Sequence, residues 1–154
     1  MENENHSNLK QSVAGIVIKE DKFLLVRHTY GAGKGKLIIP GGFVNRGETP
    51  QEAITREIFE ETGITVNPKE VVGIRFNTHD WYVVFKADYI KGIANSDEVE
   101  NSEVAWLSID EIKIRDDIPE LTKKLVASVC ESNKSLRYVF YEGNIENAPY
   151  SLYC

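Results

Sequence analysis

GFVNRGETPQEAITREIFEETGI, running from Gly42 to Ile64, is the stretch around which the rest of the chain organises. Thr49-Pro50-Gln51-Glu52 opens a helix on three agreeing signals: a hydroxyl to cap free N–H groups, a proline whose φ already suits the first turn, and a glutamate placed to close a capping box. Gly63 supplies the stop, because glycine readily takes the left-handed backbone on which helices end. The spacing therefore predicts a helix over residues 50–62. At about 100° per residue, Glu57, Glu60 and Glu61 fall within one sector of roughly 100°. Like charges at i, i+3 and i, i+4 destabilise a helix by roughly 0.2–0.5 kcal/mol per pair, and these lie away from the N-terminal end that would favour them. Arg56, one turn before Glu60, answers one carboxylate and leaves two for a hard divalent cation. Mg²⁺ suits, since it prefers oxygen ligands, retains waters and is commonly shared with substrate phosphates. An isolated E-x-x-E-E would instead be a solvated acidic face, so the surroundings decide.

Upstream, Val13 to Ile18 and Phe23 to Val26 are apolar, β-branched-rich runs separated by the charged turn Lys19-Glu20-Asp21-Lys22, which predicts a hairpin. Leu37-Ile38-Ile39 predicts a short strand that ends in a turn at Pro40-Gly41-Gly42, where proline donates no ladder bond and glycine frees the backbone. Downstream, Val71 to Phe76 and Trp81 to Ile90 predict two strands, the second with Trp81, Val83, Phe85, Ala87 and Tyr89 on one face. Glu103 to Leu107 predicts another strand and Ser108 to Glu111 a capped short helix. Pro119 to Glu131 predicts an amphipathic helix with Leu121, Leu125 and Val129 at helical spacing, and Tyr138 to Tyr141 a last strand. Strands and helices mix without regular alternation, so the expected fold class is α/β, a mixed α+β sheet with helices on its faces. Residues 1–10 are short of apolar groups and are expected to form a flexible tail. Residues 11–154, undivided by any linker, are expected to form a single domain.

Asp and Glu number 24 against 18 Lys and Arg, a net charge of −6 over 154 residues. Such a field repels duplex nucleic acid and anionic membranes. No window approaches the roughly 18 apolar residues of a membrane span, and Met1 to Gln11 lacks the apolar stretch of a signal peptide, so a cytoplasmic protein is expected. Cys130 and Cys154 are too few for a disulfide framework and lack C-x-x-C spacing. Glu48, Glu57, Glu60 and Glu61 hold much of the acidic excess. A cation bound among them would convert the most repulsive region into an anion-binding one.

Gly42, five residues, Glu48, seven residues, Arg56-Glu57-Ile58, one residue, Glu60-Glu61, one residue, Gly63-Ile64: this arrangement resembles the signature of the Nudix hydrolase family at every defining position. The preceding hairpin, the Pro40-Gly41-Gly42 entry and Trp106 to Glu111 also look like the family, so the resemblance covers about residues 12 to 130. It implies an α/β/α sandwich and metal-dependent hydrolysis of a nucleoside diphosphate linked to another group. Water would attack phosphorus, with Mg²⁺, sometimes Mn²⁺, as cofactor. Glu57, Glu60 and Glu61 match the metal-binding glutamates, Arg56 the structural arginine, and Gly41 lies where a backbone carbonyl adds a ligand. Gly42, Glu48 and Gly63 match structural positions, Glu48 as a loop brace. The general base stays open between Glu57 and an acid before Trp106, where Glu100 best fits the family's spacing against Glu98 and Glu103.

Gly31 to Lys36 lacks the spacing of a phosphate-binding loop and no helix follows it, so it reads as a connection beside the site. Arg27 and Lys36 are candidate phosphate contacts, and Tyr82 a candidate platform for a base. Tyr82 also stands 18 residues past the signature, a placement resembling diadenosine-polyphosphate hydrolases. His6, His28 and His79 have no metal spacing and read as bystanders. Partners expected are a nucleotide-type small molecule and a second copy of the chain, since homodimers are common in the family. Two alternatives are a nucleotide-sensing domain that does not cleave, and an isoprenoid diphosphate isomerase, for which Cys130 and Cys154 are poorly placed.

Overall fold

The computed structural model describes residues 8–131 and 135–154. Most of the expected tail over 1–10 lies outside them, and Lys10 already belongs to the first strand, β1 (Lys10–Lys19). The predicted hairpin joins β1 to β2 (Lys22–His28). Glu20 and Asp21 take φ of 50° and 59°, the two left-handed residues whose twist matches a tight hairpin.

Then follow β3 (Leu37–Ile38) and β4 (Gly41–Phe43). The expected turn at Pro40-Gly41-Gly42 is confined to Ile39-Pro40 between β3 and β4, and Gly41 and Gly42 already belong to a strand. Gly41–Phe43 is a strand that pairs antiparallel with Ser12–Ala14 of β1. Its glycines serve close approach rather than unusual angles. A Cβ on Gly41 would fall 2.1 Å from the Val13 carbonyl oxygen, and one on Gly42 would fall 2.3 Å from Glu57 Cδ.

The helix α1 (Pro50–Thr62) has the predicted bounds, with both halves of its capping box in place between Thr49 and Glu52 and Gly63 at φ 75°. It is followed by β5 (Thr65–Phe76), β6 (Asp80–Lys91) and β7 (Asn101–Leu107). The strand β5 begins six residues before the apolar run that announced it. Its polar first half pairs with β6 through shifts of register at Thr65/Val66, Pro68/Glu70 and Val71/Gly73, and bulges erase the simple alternation of faces. Two helices, α2 (Ile109–Ile114) and α3 (Glu120–Val129), come next, then β8 (Tyr138–Val139) and β9 (Ser151–Tyr153). β8 falls within the strand predicted over Tyr138 to Tyr141, whereas β9, three residues with one buried side chain, carries no periodic signal in the sequence.

The strands run in the order β3-β2-β1-β6-β5-β9-β8, with β4 also on β1 and β7 on β2. At the centre β1 pairs parallel with β6 from Lys10↔Asp80 to Ile18↔Asp88. Residues 12–17 of β1 are all buried, because helices cover both faces of a central strand. On one face Val13 and Val17 meet Ala53, Ile54 and Ile58 of α1. On the other Ala14 and Ile16 join Ile112 of α2 with Leu125 and Val126 of α3. Full burial of Ile54 and Ile58 is worth about 1.5–3 kcal/mol each, and it fixes the rotation of α1 against the sheet.

Candidate active site

That rotation decides where the acidic residues point. Glu57 and Glu61 are turned inward and buried, at 9% and 1% exposure. Glu60, expected to share their face, lies on the solvent side with its side chain 56% exposed. Close approach of β4 makes the inward positions possible: the Glu57 carboxylate occupies the space a side chain on residue 42 would need. Burial is the main force raising the Glu57 pKa, opposed by Arg56 and reinforced by the neighbouring charges of Glu61 and Glu60. Glu61 is raised for the same primary reason.

Arg56 answers three carboxylates rather than one. Its Nε and Nη2 donate to Glu48 Oε1 and Oε2 at 2.7 and 3.0 Å, a bidentate pair. Its Nη1 donates to Glu57 Oε1 at 2.8 Å and Glu60 Oε2 at 3.0 Å. Nη2 also reaches the Phe43 carbonyl at 3.1 Å, so one side chain ties α1, β4 and the intervening loop together. Glu48 is held as a brace, its carboxyl brought down to about 2 by Arg56 and by the Asn45 N–H.

Glu61 is placed by three other segments. Gly41 N–H donates to its Oε2 at 3.1 Å. Since N–H and C=O of one residue in an antiparallel pair point the same way, and the β1–β4 register bonds Val13 with Gly42, the Gly41 carbonyl points away from β1 on the same side as that N–H. His28 Nε2 lies 3.5 Å from Glu61 Oε1 and is buried without a hydrogen-bond partner. His28 carries no metal spacing in the sequence; only the pairing of β2 with its neighbours brings it to the site. Asn101, fully buried, donates from Nδ2 to the Glu61 carbonyl at 2.7 Å.

Asn101 also ends a tightly built loop. Asp97 Oδ1 accepts the N–H groups of Val99, Glu100 and Asn101, each at 3.0 Å, while Thr29 Oγ1 donates to the Val99 carbonyl at 2.8 Å. The loop holds Glu100 near the buried pair: Tyr30 O–H donates to Glu100 Oε2 at 3.4 Å, and the Glu100 charge helps to raise Glu61. Tyr30 in turn stacks on His28, ring centroids 5.8 Å apart.

Among the described residues no three His, Cys, Asp or Glu side chains form a ready metal cage. The donor set nevertheless fits a hard cation: two buried carboxylates whose charges repel, with the absence of a Cβ on Gly42 leaving room for one of them against the strand. Mg²⁺ characteristically takes one or two carboxylates and keeps its waters, so a cage is not required.

The remaining expected contacts fall elsewhere. Arg27 has its donors engaged by Glu103 Oε2, the Gly35 carbonyl and Asp117 Oδ2 at 2.6–2.9 Å, which makes it a clamp between loops. Lys36 Nζ lies 3.4 Å from the Asp116 carbonyl. Tyr82 packs against the core on the α3 face, under the guanidinium of Arg75 at 5.0 Å. A cavity of about 590 Å³ lies against α1, lined by Gln51, Thr55, Arg56 and Phe59 but by neither Glu57 nor Glu61.

With this geometry in view, comparison with known proteins is informative. The NUDIX domain, as a family, matches residues 9–128. A MutT-like protein of Streptomyces ambofaciens is 37% identical over 107 residues, 68% of this chain and 67% of that protein. An ADP-ribose pyrophosphatase of Methanocaldococcus jannaschii is 39% identical over 87 residues, 53% of this chain and 52% of its own length, so the chain spans only about half of that relative. Among solved structures, a NUDIX hydrolase from Nitrosomonas europaea superposes with a TM-score of 0.70 at 25% identity, covering 80% of this chain and 89% of that one. An intact signature, a matching fold and relatives named as hydrolases agree: the chain belongs to the Nudix hydrolase family.

Proposed function

We propose that this protein hydrolyses a nucleoside diphosphate linked to another moiety, a nucleoside polyphosphate or a dinucleotide, in the cytoplasm, with residues 11–154 acting as one domain. The observation that carries the reading is the pair of buried carboxylates, Glu57 and Glu61, held against a glycine strand. Glu57 and Glu61, with the Gly41 carbonyl and Glu60 at the rim, would hold Mg²⁺ or Mn²⁺. When bound, the cation neutralises the pyrophosphate and lowers the pKa of water, which is how an acidic protein accepts an anionic substrate.

The residues of the chain divide the remaining work. Arg56 fixes Glu57 and Glu60 in their rotamers and Glu48 braces Arg56. Glu100 is the better base: its loop is built to hold it at the mouth of the site, whereas Glu57 already accepts from Arg56. It would take the proton of the attacking water as the new phosphorus–oxygen bond forms and the bridging anhydride P–O bond breaks, its electron pair leaving on the oxygen of the departing phosphate group. ADP-ribose is one candidate substrate, by likeness to the Methanocaldococcus relative.

The test is a metal-supplemented screen of nucleoside triphosphates, ADP-ribose, dinucleoside polyphosphates and nucleotide sugars, read as phosphate released after phosphatase coupling. Turnover that stops in EDTA, returns with Mg²⁺ and disappears in Glu57→Gln is expected. A folded protein that binds these nucleotides and cleaves none would be a sensor, and the proposal would fall.

A further inference from the structure

Asp97 anchors the backbone of the Glu100 loop, but Glu100 itself is exposed. A long exposed side chain keeps its rotamer freedom even on a fixed backbone, so the loop alone does not set where the carboxylate stands. Among the described residues that carboxylate has one hydrogen-bond partner, the Tyr30 hydroxyl, which donates to Oε2 at 3.4 Å. The main chain beside Tyr30 is joined to the same loop. Thr29 N–H donates to the Glu100 carbonyl at 3.1 Å, and Thr29 Oγ1 donates to the Val99 and Glu100 carbonyls at 2.8 and 3.1 Å.

Tyr30 is held from its other end as well. Its ring lies over that of His28, centroids 5.8 Å and planes 17° apart, the offset geometry that aromatic pairs prefer. His28 offers a confined seat. Gly35 N–H donates to its carbonyl at 2.8 Å, its own N–H donates to the Lys36 carbonyl at 3.2 Å, and Nε2 stands 3.5 Å from Glu61 Oε1. One continuous line of side chains thus runs from Glu61 through His28 and Tyr30 to Glu100. Burial, and then the charges of Glu100, Glu61 and Glu57, raise the Tyr30 phenol, so at neutral pH it keeps a proton to donate.

We propose that Tyr30 is a positioning residue: seated on His28, it uses its hydroxyl to hold the Glu100 carboxylate at a set span from Glu61. The assignment rests on the hydrolase reading above, in which Glu100 takes the proton of the attacking water, and deepens it. An acid that holds the cation and an acid that takes the proton must stand at one separation, because a single water has to meet both. Asp97 and Thr29 place the loop; the Tyr30 hydroxyl places the carboxylate. A platform for a substrate base would use the exposed ring and leave the hydroxyl idle, so removing the hydroxyl alone separates the two roles.

The experiment uses the full chain as parent, Tyr30→Phe, Glu100→Gln and the double variant, assayed with Mg²⁺ on the nucleotide that the parent turns over fastest in the screen above. Tyr30→Phe keeps the stack and should lower kcat about tenfold with KM unchanged. Glu100→Gln should lower kcat about a hundredfold or more. The double variant should be no slower than Glu100→Gln, since groups that act as a unit are not additive. With Glu100→Gln impaired, a parental kcat in Tyr30→Phe, a change in KM alone, or a further full tenfold loss in the double variant overturns the proposal. Crystals of Tyr30→Phe grown in EDTA read the placement without turnover: the Glu100 carboxylate should shift by about 1 Å or more, and an unmoved carboxylate overturns it. If Glu100→Gln keeps the parental kcat while the carboxylate moves in Tyr30→Phe, the choice of base is wrong and the placement stands. If Glu100→Gln is impaired and Tyr30→Phe matches the parent in rate and structure, the base stands and the placement is wrong.

Discussion

Replacing Gly42 with alanine adds one methyl group where β4 meets α1, and the structure gives its consequence in distance. The new Cβ would lie 2.3 Å from Glu57 Cδ, against the 3.4 Å at which ordinary contact begins. The strand cannot yield, because Gly42 pairs with Val13 of the central strand, so the carboxylate must retreat by about 1 Å, a displacement able to cost about a hundredfold in rate. Its bond from Arg56 at 2.8 Å would be lost or bent in the process. Overpacking of this kind costs about 1–3 kcal/mol, so a lowered melting temperature is expected as well. Gly47→Ala supplies the comparison: residue 47 has φ 84° and open space around it, so the change strains the backbone without touching the carboxylates. Thermal melts and steady-state kinetics with Mg²⁺ should show both variants destabilised, with kcat reduced about a hundredfold in Gly42→Ala alone. A folded Gly42→Ala protein with parental kcat would refute the reasoning.

Other outcomes follow from the same geometry. Glu61→Gln should abolish turnover and yet raise the melting temperature in EDTA at pH 8. Burial raises the pKa of Glu61, so its ionisation opposes folding increasingly as pH rises from the ordinary carboxylate range to the raised value and in full above it, and amide replacement removes the penalty; a lower melting temperature would contradict it. Glu48, whose pKa falls to about 2 on folding, contributes stability above the ordinary carboxylate range that is lost as pH drops from about 4.5 toward 2. Glu48→Gln should therefore flatten that part of an acid-unfolding curve, and an unchanged curve would count against the brace. Asn101→Ala, which strands the Glu61 carbonyl, should cost about 1–3 kcal/mol in denaturant unfolding. It should also lower kcat more than it changes KM, since the Glu100 loop is anchored through that bond.

Local chemistry made α1 legible from the sequence alone. Thr49, Pro50, Glu52 and Gly63 set its ends by hydrogen bonds and backbone preferences among near neighbours, and the structure reproduces them. The hairpin of β1 and β2 and the cap of α2 were readable for the same reason. Register and return of distant segments were not. Pro40-Gly41-Gly42 looks like a turn because its composition permits one; that Gly41 and Gly42 lie in a strand follows from β1 accepting them as ladder partners. Helical spacing grouped Glu57, Glu60 and Glu61, but packing of Ile54 and Ile58 against the sheet chose which two are buried. His28 and Asn101 carry no motif, and they reach Glu61 only because β2 and β7 lie beside each other. Sequence determined the acids and the helix that presents them; tertiary packing decided their burial, and burial is what makes two ordinary glutamates into a site that calls for a cation.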